Sequence, residues 1–185
     1  MSRPAFRKVG ERELHRGYLV RLTESTFEGP DGQEFRRDVV HTPNAVAIVP
    51  VDRGEVGWDV VLVHQYRAPL DTFVTEIPAG MCDVEGEAPE VTALRELREE
   101  AGLVARVVKP LGAVHPAPGF TTHRTEILLG VGLDATDREA DGVEEQHMEI
   151  ERLPLREALE RVVDGRITDA KTVAGLLLAD RQLER

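Results

Sequence analysis

The chain has 185 residues, 41% of them apolar and 31% charged, which places it among globular proteins with enough core for one ordinary domain. Its net charge of −11 argues against sequence-independent binding to nucleic acid or to an anionic membrane, since both need basic patches. The same charge does not exclude a polyphosphate ligand, because a bound cation reverses the local field.

In chain order, Tyr18 to Phe27 and Glu34 to Val40 read as strands around Gly29-Pro30-Asp31-Gly32, a hairpin with a longer loop. The stretch before Leu19 lacks the apolar core of a secretory leader. No run approaches membrane-spanning length, so the expected location is the cytoplasm. Ala45 to Val51 and Asp59 to Tyr66 are apolar, β-branched runs joined through the turn Asp52-Arg53-Gly54. Thr72 to Ile77 then leads into an acidic, glycine-containing loop. Cys82 lies in that loop. As the single cysteine it cannot close an internal disulfide, it fits a reducing compartment, and its placement reads as incidental.

A helix follows. Pro89 suits its first turn, Gly102 suits a left-handed stop, and Val91, Leu94, Leu97 and Ala101 form an apolar stripe. Beyond it come strands near Ala105 to Gly112 and Glu126 to Leu133, then a polar loop from Asp141 to His147. A strand-like Met148 to Leu153 precedes two helices, Leu155 to Val163 and Thr168 to Leu178, with Gly165 between them. The expected architecture is α+β, with helices against a mixed sheet.

The central helix concentrates the chemistry. Glu96, Glu99 and Glu100 are spaced i, i+3 and i+4, so their carboxylates project together. Two carboxylates ~4 Å apart repel by about 4 kcal/mol at an effective dielectric near 20. A divalent cation relieves that repulsion, and hard oxygen ligands favour magnesium or manganese. The backbone carbonyl of Ala79, exposed beside Gly80, is a further candidate ligand.

The segment from Gly80 to Leu103 resembles the Nudix box, G-x5-E-x7-R-E-U-x-E-E-x-G-U with U aliphatic. Gly80 opens it, Glu87 is its first glutamate, Arg95-Glu96-Leu97 its R-E-U, Glu99-Glu100 its acidic pair and Gly102-Leu103 its close. Here six residues, not five, separate Gly80 from Glu87, an insertion expected to be absorbed in the loop without rotating the helical acids. The resemblance implies an α/β/α sandwich with a mixed sheet. It also implies one domain overall, with residues 1–40 as N-terminal strands and 41–185 as the Nudix hydrolase domain.

The flanks are similar to ADP-ribose pyrophosphatases. His64-Gln65-Tyr66-Arg67 followed by Thr75-Glu76-Ile77-Pro78-Ala79-Gly80 looks like their approach to the box. Pro118 stands sixteen residues beyond Gly102, at the spacing of their substrate motif. The implied activity is metal-dependent hydrolysis of a small nucleotide sugar, ADP-ribose to AMP and ribose 5-phosphate. The alternatives are another nucleoside diphosphate sugar or a non-catalytic ADP-ribose sensor. Glu96, Glu99, Glu100 and Ala79 would hold the metal, and Arg95 would brace the acids through Glu99.

Arg67 would fork onto phosphate, Glu76 would take a ribose hydroxyl or a cation's water, and Pro118-Gly119-Phe120 would shape the pocket. The general base falls in the polar loop, at Glu145 or Glu144. The resemblance further implies a homodimer in which the N-terminal strands cross to the partner, where Arg36 or Arg37 would reach the neighbouring site.

Overall fold

The strand Ala45–Gly54 (β4) alternates strictly, and the alternation organises the main sheet. Val46 and Ile48 point to one face, Ala47, Val49 and Val51 to the other, all fully buried. The computed structural model describes residues 5–139 and 143–184. They fall into two compact units, one of residues up to Asn44 with His115–Arg124, the other of Ala45–Val114 with Thr125–Arg185.

The first unit holds a three-stranded antiparallel sheet of Arg7–Arg16 (β1), Arg21–Glu28 (β2) and Glu34–His41 (β3). β1 is exposed at all ten positions and is joined to β2 by cross-strand ion pairs, Arg7 with Glu28 and Arg12 with Glu24. Such a strand shows no apolar alternation, which is why the sequence reading missed it. The strand expected from Tyr18 begins instead at Arg21. Gly17 N–H donates to the Val20 carbonyl and makes Tyr18 and Leu19 the turn between β1 and β2. The hairpin at Gly29–Gly32 forms as expected, closed by Gly32 N–H on the Gly29 carbonyl.

The second unit carries a seven-stranded mixed sheet. Besides β4 it contains Gly57–Arg67 (β5), Thr72–Glu76 (β6), Ala79–Met81 (β7), Leu103–Val114 (β8), Thr125–Ala135 (β9) and Glu149–Pro154 (β10). The order is β10-β5-β4-β9-β8, with β6 added to β5 and β7 to β4. Only the β4–β9 pairing is parallel. β4 changes neighbour along one edge, pairing with β7 at Ala45–Ala47 and with β5 from Val51 onward. Pro50 lies where the partner changes, so its missing N–H leaves no ladder bond unmade. Ile48 N–H donates to the Pro78 carbonyl at 2.9 Å in the same gap.

Helix Pro89–Ala101 (α1) covers one face, with Ala93, Leu97 and Ala101 packed on Val46, Ile48, Val61 and Leu128. Helices Leu155–Val163 (α3) and Ala170–Leu183 (α4) cover the other, through Leu155, Ala158, Leu176 and Ala179. A one-turn helix, Val143–Gln146 (α2), stands where a loop was expected. This unit is the α/β/α sandwich the sequence implied. Among the described residues no helix is long and apolar enough to cross a membrane.

α1 differs in rotation from the expected stripe. Val91 is exposed, whereas Glu96 and Glu100 are buried beside Ala93 and Leu97. The acids therefore lie along the edge of the packed face and not on the solvent side.

Candidate active site

Two features of α1 set the site. Pro89 opens the helix at its first position, and Gly102 closes it at φ 63°, its N–H on the Arg98 carbonyl. Between them Glu96 and Glu100, one turn apart, are 8% and 4% exposed. The loop ahead of the helix turns at Val84–Glu87, with Gly86 at φ 79° and Glu87 N–H on the Val84 carbonyl. Glu87 then accepts from the Thr92 hydroxyl at 2.6 Å, which ties the loop to the first turn of α1.

β7 brings the backbone to the acids. Ala79 N–H donates to Glu100 Oε2 at 3.0 Å. Gly80 lies so close to Glu96 that an added Cβ would overlap its carboxyl carbon and both oxygens. Without a Cβ, the box glycine leaves the Glu96 carboxylate its place; any larger residue would push the end of that side chain aside.

The electrostatics are those of crowded acids. Burial pushes Glu96 up to about 7, with Glu99, Glu145 and Asp83 adding repulsion and Arg95 opposing it. Burial pushes Glu100 up to about 8. Its bond from Ala79 and the charge of Arg67 work against that rise, while Glu96 and Glu145 add to it. Arg95 Nη1 lies 2.8 Å from Glu96 Oε1 and donates to Glu99 Oε2 at 3.2 Å, the expected i, i+4 brace.

Among the described residues no three His, Cys, Asp or Glu side chains close into a metal cage, and Glu99 is paired with Arg95. What the site offers a cation is a buried pair of carboxylates with raised affinity for positive charge, all oxygen donors, with Glu99 on the same helix beside them. That set fits a hard divalent ion.

Beyond Glu100, Arg67 at the end of β5 forks onto Glu76 of β6, Nε to Oε1 and Nη2 to Oε2, both at 2.7 Å. Glu76 is 2% exposed. Burial alone would raise its pKa. The bond from Arg67 and the charges of Lys171 and Arg67 outweigh that and hold it below the usual carboxylate range. Lys171, in the first turn of α4, also donates to Glu76 Oε2. Asp169, the N-cap of α4, accepts from Lys171 at 3.0 Å, from Thr172 N–H at 2.9 Å and from the Thr172 hydroxyl at 2.6 Å. Ile77 N–H in turn donates to Thr172 Oγ1 at 2.9 Å. An open cavity of about 470 Å³ is lined by Arg67, Pro69, Leu70, Val74, Glu76, Asp169 and Lys171.

Of the residues expected from sequence, this unit gathers Ala79, Arg95, Glu96, Glu99, Glu100, Arg67, Glu76 and Glu145. Glu145 sits in α2, and its charge reaches both Glu96 and Glu100. Arg138 holds this turn by donating to the Glu145 and Met148 carbonyls. Glu144 belongs to the same turn, and its side chain lies outside the described residues, as do Asp141 and Gly142.

Arg37, Pro118, Gly119 and Phe120 belong to the first unit. There the Phe120 carbonyl accepts from Val40 N–H at 2.7 Å, and the Arg37 guanidinium lies 5.0 Å from the Phe35 ring centroid. Gly119 has neither a positive φ nor a neighbour that a Cβ would meet. Cys82 is half-buried. Burial, with the charges of Glu126, Glu87 and Asp83, raises its pKa and keeps the thiol protonated, against any nucleophilic part.

The sequence reading did not pick out Lys171, Asp169 and Thr172. Asp169 ahead of the apolar spacing of α4 is a legible N-cap signal, but the bond from Lys171 to Glu76 spans 95 residues.

Comparison with known proteins matches the NUDIX domain to residues 41–175. An ADP-ribose pyrophosphatase of Mycobacterium tuberculosis (strain ATCC 25618 / H37Rv) is 36% identical over 96% of this chain and 84% of its own length. One from Bacillus subtilis (strain 168) is 33% identical over 89% and 86%. A solved structure described as an ADP compounds hydrolase superimposes with a TM-score of 0.83 over 100% of this chain and 96% of its own, at 22% identity, a likeness of fold. With the family domain spanning most of the chain and these identities running nearly end to end, the chain belongs to the Nudix family.

Proposed function

We propose that this protein is a Nudix pyrophosphohydrolase that cleaves ADP-ribose, with water, to AMP and ribose 5-phosphate. The observation that carries the reading is the pairing of two devices in one unit. Glu96 and Glu100 offer a buried acidic pair, and the charge of Arg67 bears on Glu100 from the wall of the adjoining cavity. An acidic cluster beside a guanidinium fork suits a metal–pyrophosphate ligand, whose anionic oxygens need positive charge from both sides. The printed names of the Mycobacterium and Bacillus relatives agree with ADP-ribose as that ligand.

Glu96 and Glu100, with Glu99 turned from Arg95 and the Ala79 carbonyl, would hold magnesium or manganese. Bound there, such an ion neutralises pyrophosphate charge and lowers the pKa of water. The remaining work falls to the chain. Arg67 binds and orients a phosphate through the guanidinium edge that Glu76 leaves open, and Glu76 serves the substrate by holding Arg67. Glu145 takes the proton of the attacking water as its oxygen bonds to phosphorus and the P–O–P bridge opens, with Glu144 as the second candidate. Arg95 keeps the acids in register. Pro118-Gly119-Phe120 is assigned to the nucleotide-sugar contacts on the resemblance of the Pro118 spacing, and Arg37 through the implied homodimer, whose N-terminal strands would carry it to the neighbouring site.

The test is a panel of nucleoside diphosphate sugars with and without EDTA, with products identified by chromatography. AMP and ribose 5-phosphate from ADP-ribose, lost with EDTA, is the expected result. Turnover confined to another sugar would replace the substrate, and binding of ADP-ribose without turnover would make the protein a sensor.

We also infer a cytoplasmic homodimer. β1, exposed along its whole length with Val9 and Leu14 uncovered, is the surface offered to a second copy.

A further inference from the structure

We propose that Lys171 is a positioning residue: it clamps Glu76, with Asp169 behind it, so that Arg67 presents its open guanidinium edge to the substrate's phosphates. The inference deepens the phosphate reading of Arg67 given above.

The geometry is a relay of alternating charges across three elements, β5, β6 and the start of α4. Arg67 meets both oxygens of Glu76, Lys171 donates to Oε2 as well, and Asp169 holds Lys171 at 3.0 Å. A buried carboxylate with a single partner follows that partner's motion. Held by two partners, it has one orientation, and the planar fork of Arg67 must adopt the matching one.

The anchor is itself rigid. Thr172 ties the first turn of α4 to the Ile77 N–H, the residue after Glu76, so Lys171 and Glu76 are locked to each other through the backbone. Arg67 spends Nε and Nη2 on Glu76 and makes no hydrogen bond through Nη1 among the described residues. Its side chain is 39% exposed, at the wall of the 470 Å³ cavity, whereas that of Lys171 is 15% exposed. The open donors thus belong to Arg67, and Lys171 acts through Glu76.

Two measurements on the full-length protein test this. In a double-mutant cycle on kcat/KM for ADP-ribose, Lys171→Met should lose about 10- to 100-fold, the scale of a misplaced binding group. Arg67→Ala should then cost much less in that background than in the wild type. Lys171→Arg should recover most of the loss. Independently of any activity, hydrogen exchange of the Arg67 Nε–H, followed by NMR, should be slow in the wild type and in Lys171→Arg, and fast in Lys171→Met.

Additive losses in the cycle, or an Arg67 Nε–H that stays protected in Lys171→Met, would overturn the proposal and make Lys171 either a direct substrate contact or a purely structural residue. If no nucleotide sugar is turned over at all, the ADP-ribose reading fails, and the exchange measurement still decides the positioning claim.

Discussion

At Gly80 the backbone passes so close to Glu96 that a methyl group would share space with the carboxylate. Gly80→Ala must therefore displace Glu96, which Arg95 otherwise steadies. The expected outcome is a loss of divalent-cation affinity of more than about tenfold, the cost of disturbing a ligand's support, with little change in melting temperature; isothermal calorimetry and a thermal scan measure the two. The acids themselves separate by role. Glu100→Gln removes a buried ligand candidate and should lower turnover by several orders of magnitude together with metal binding. Glu145→Gln should leave metal binding intact and slow hydrolysis by about 10²–10⁴-fold, the range of a general base. Near-normal turnover in Glu145→Gln would transfer the base to Glu144.

Among the elements, α4 places the relay. It lies against the sheet through Gly175, where an added Cβ would come within 2.9 Å of Ile77 Cδ1 and 3.0 Å of Val49 Cγ2. Lys171 is one turn earlier on the same face. Gly175→Val should overpack this contact by about 1–3 kcal/mol. For a chain of this length each kcal/mol lowers the melting temperature by about 2–4 °C, which calorimetry resolves. The same variant should raise KM for ADP-ribose, because the first turn of α4 moves with the helix. β1 illustrates the opposite case, a strand joined to its neighbour by exposed ion pairs. Each such pair contributes only about 0–1 kcal/mol, so raised salt should loosen β1 before it touches the main sheet.

For the whole molecule, the raised carboxyls set the pH response. Glu96 and Glu100 keep their protons to about 7 and about 8 when folded, whereas the unfolded chain releases them near 4.3. Between these values the folded state binds more protons, so stability without metal is fullest below the unfolded value and falls as pH rises through 7 and 8. A divalent cation binds the ionised acids, so its stabilisation should grow over the same window. Melting scans from pH 5 to pH 9, with EDTA and with magnesium, should diverge as pH rises; parallel curves would remove the acids as metal ligands. Light scattering settles the association state, with a dimeric mass expected and a monomeric mass excluding a shared site.

Much of this was legible in residues. The alternation of Ala45 to Val51, the proline and glycine around α1, and the i, i+3, i+4 spacing of Glu96, Glu99 and Glu100 are local patterns. Local geometry alone relates their side chains. The rotation of α1 was not legible, because Val91 and Ala93 are both acceptable apolar positions until a sheet selects one. Nor was β1, whose partners are charges on another strand. The alliance of Glu76 with Lys171 joins residues 95 apart through a helix docked on a glycine, a pairing no periodicity encodes. Sequence by itself determined which acids share a helix and the family they announce. Tertiary packing alone decided that two of those acids are buried and raised in pKa, and that a lysine from the far end of the chain pairs with the glutamate on which the neighbouring arginine forks, because burial and long-range pairing are properties of what surrounds a residue.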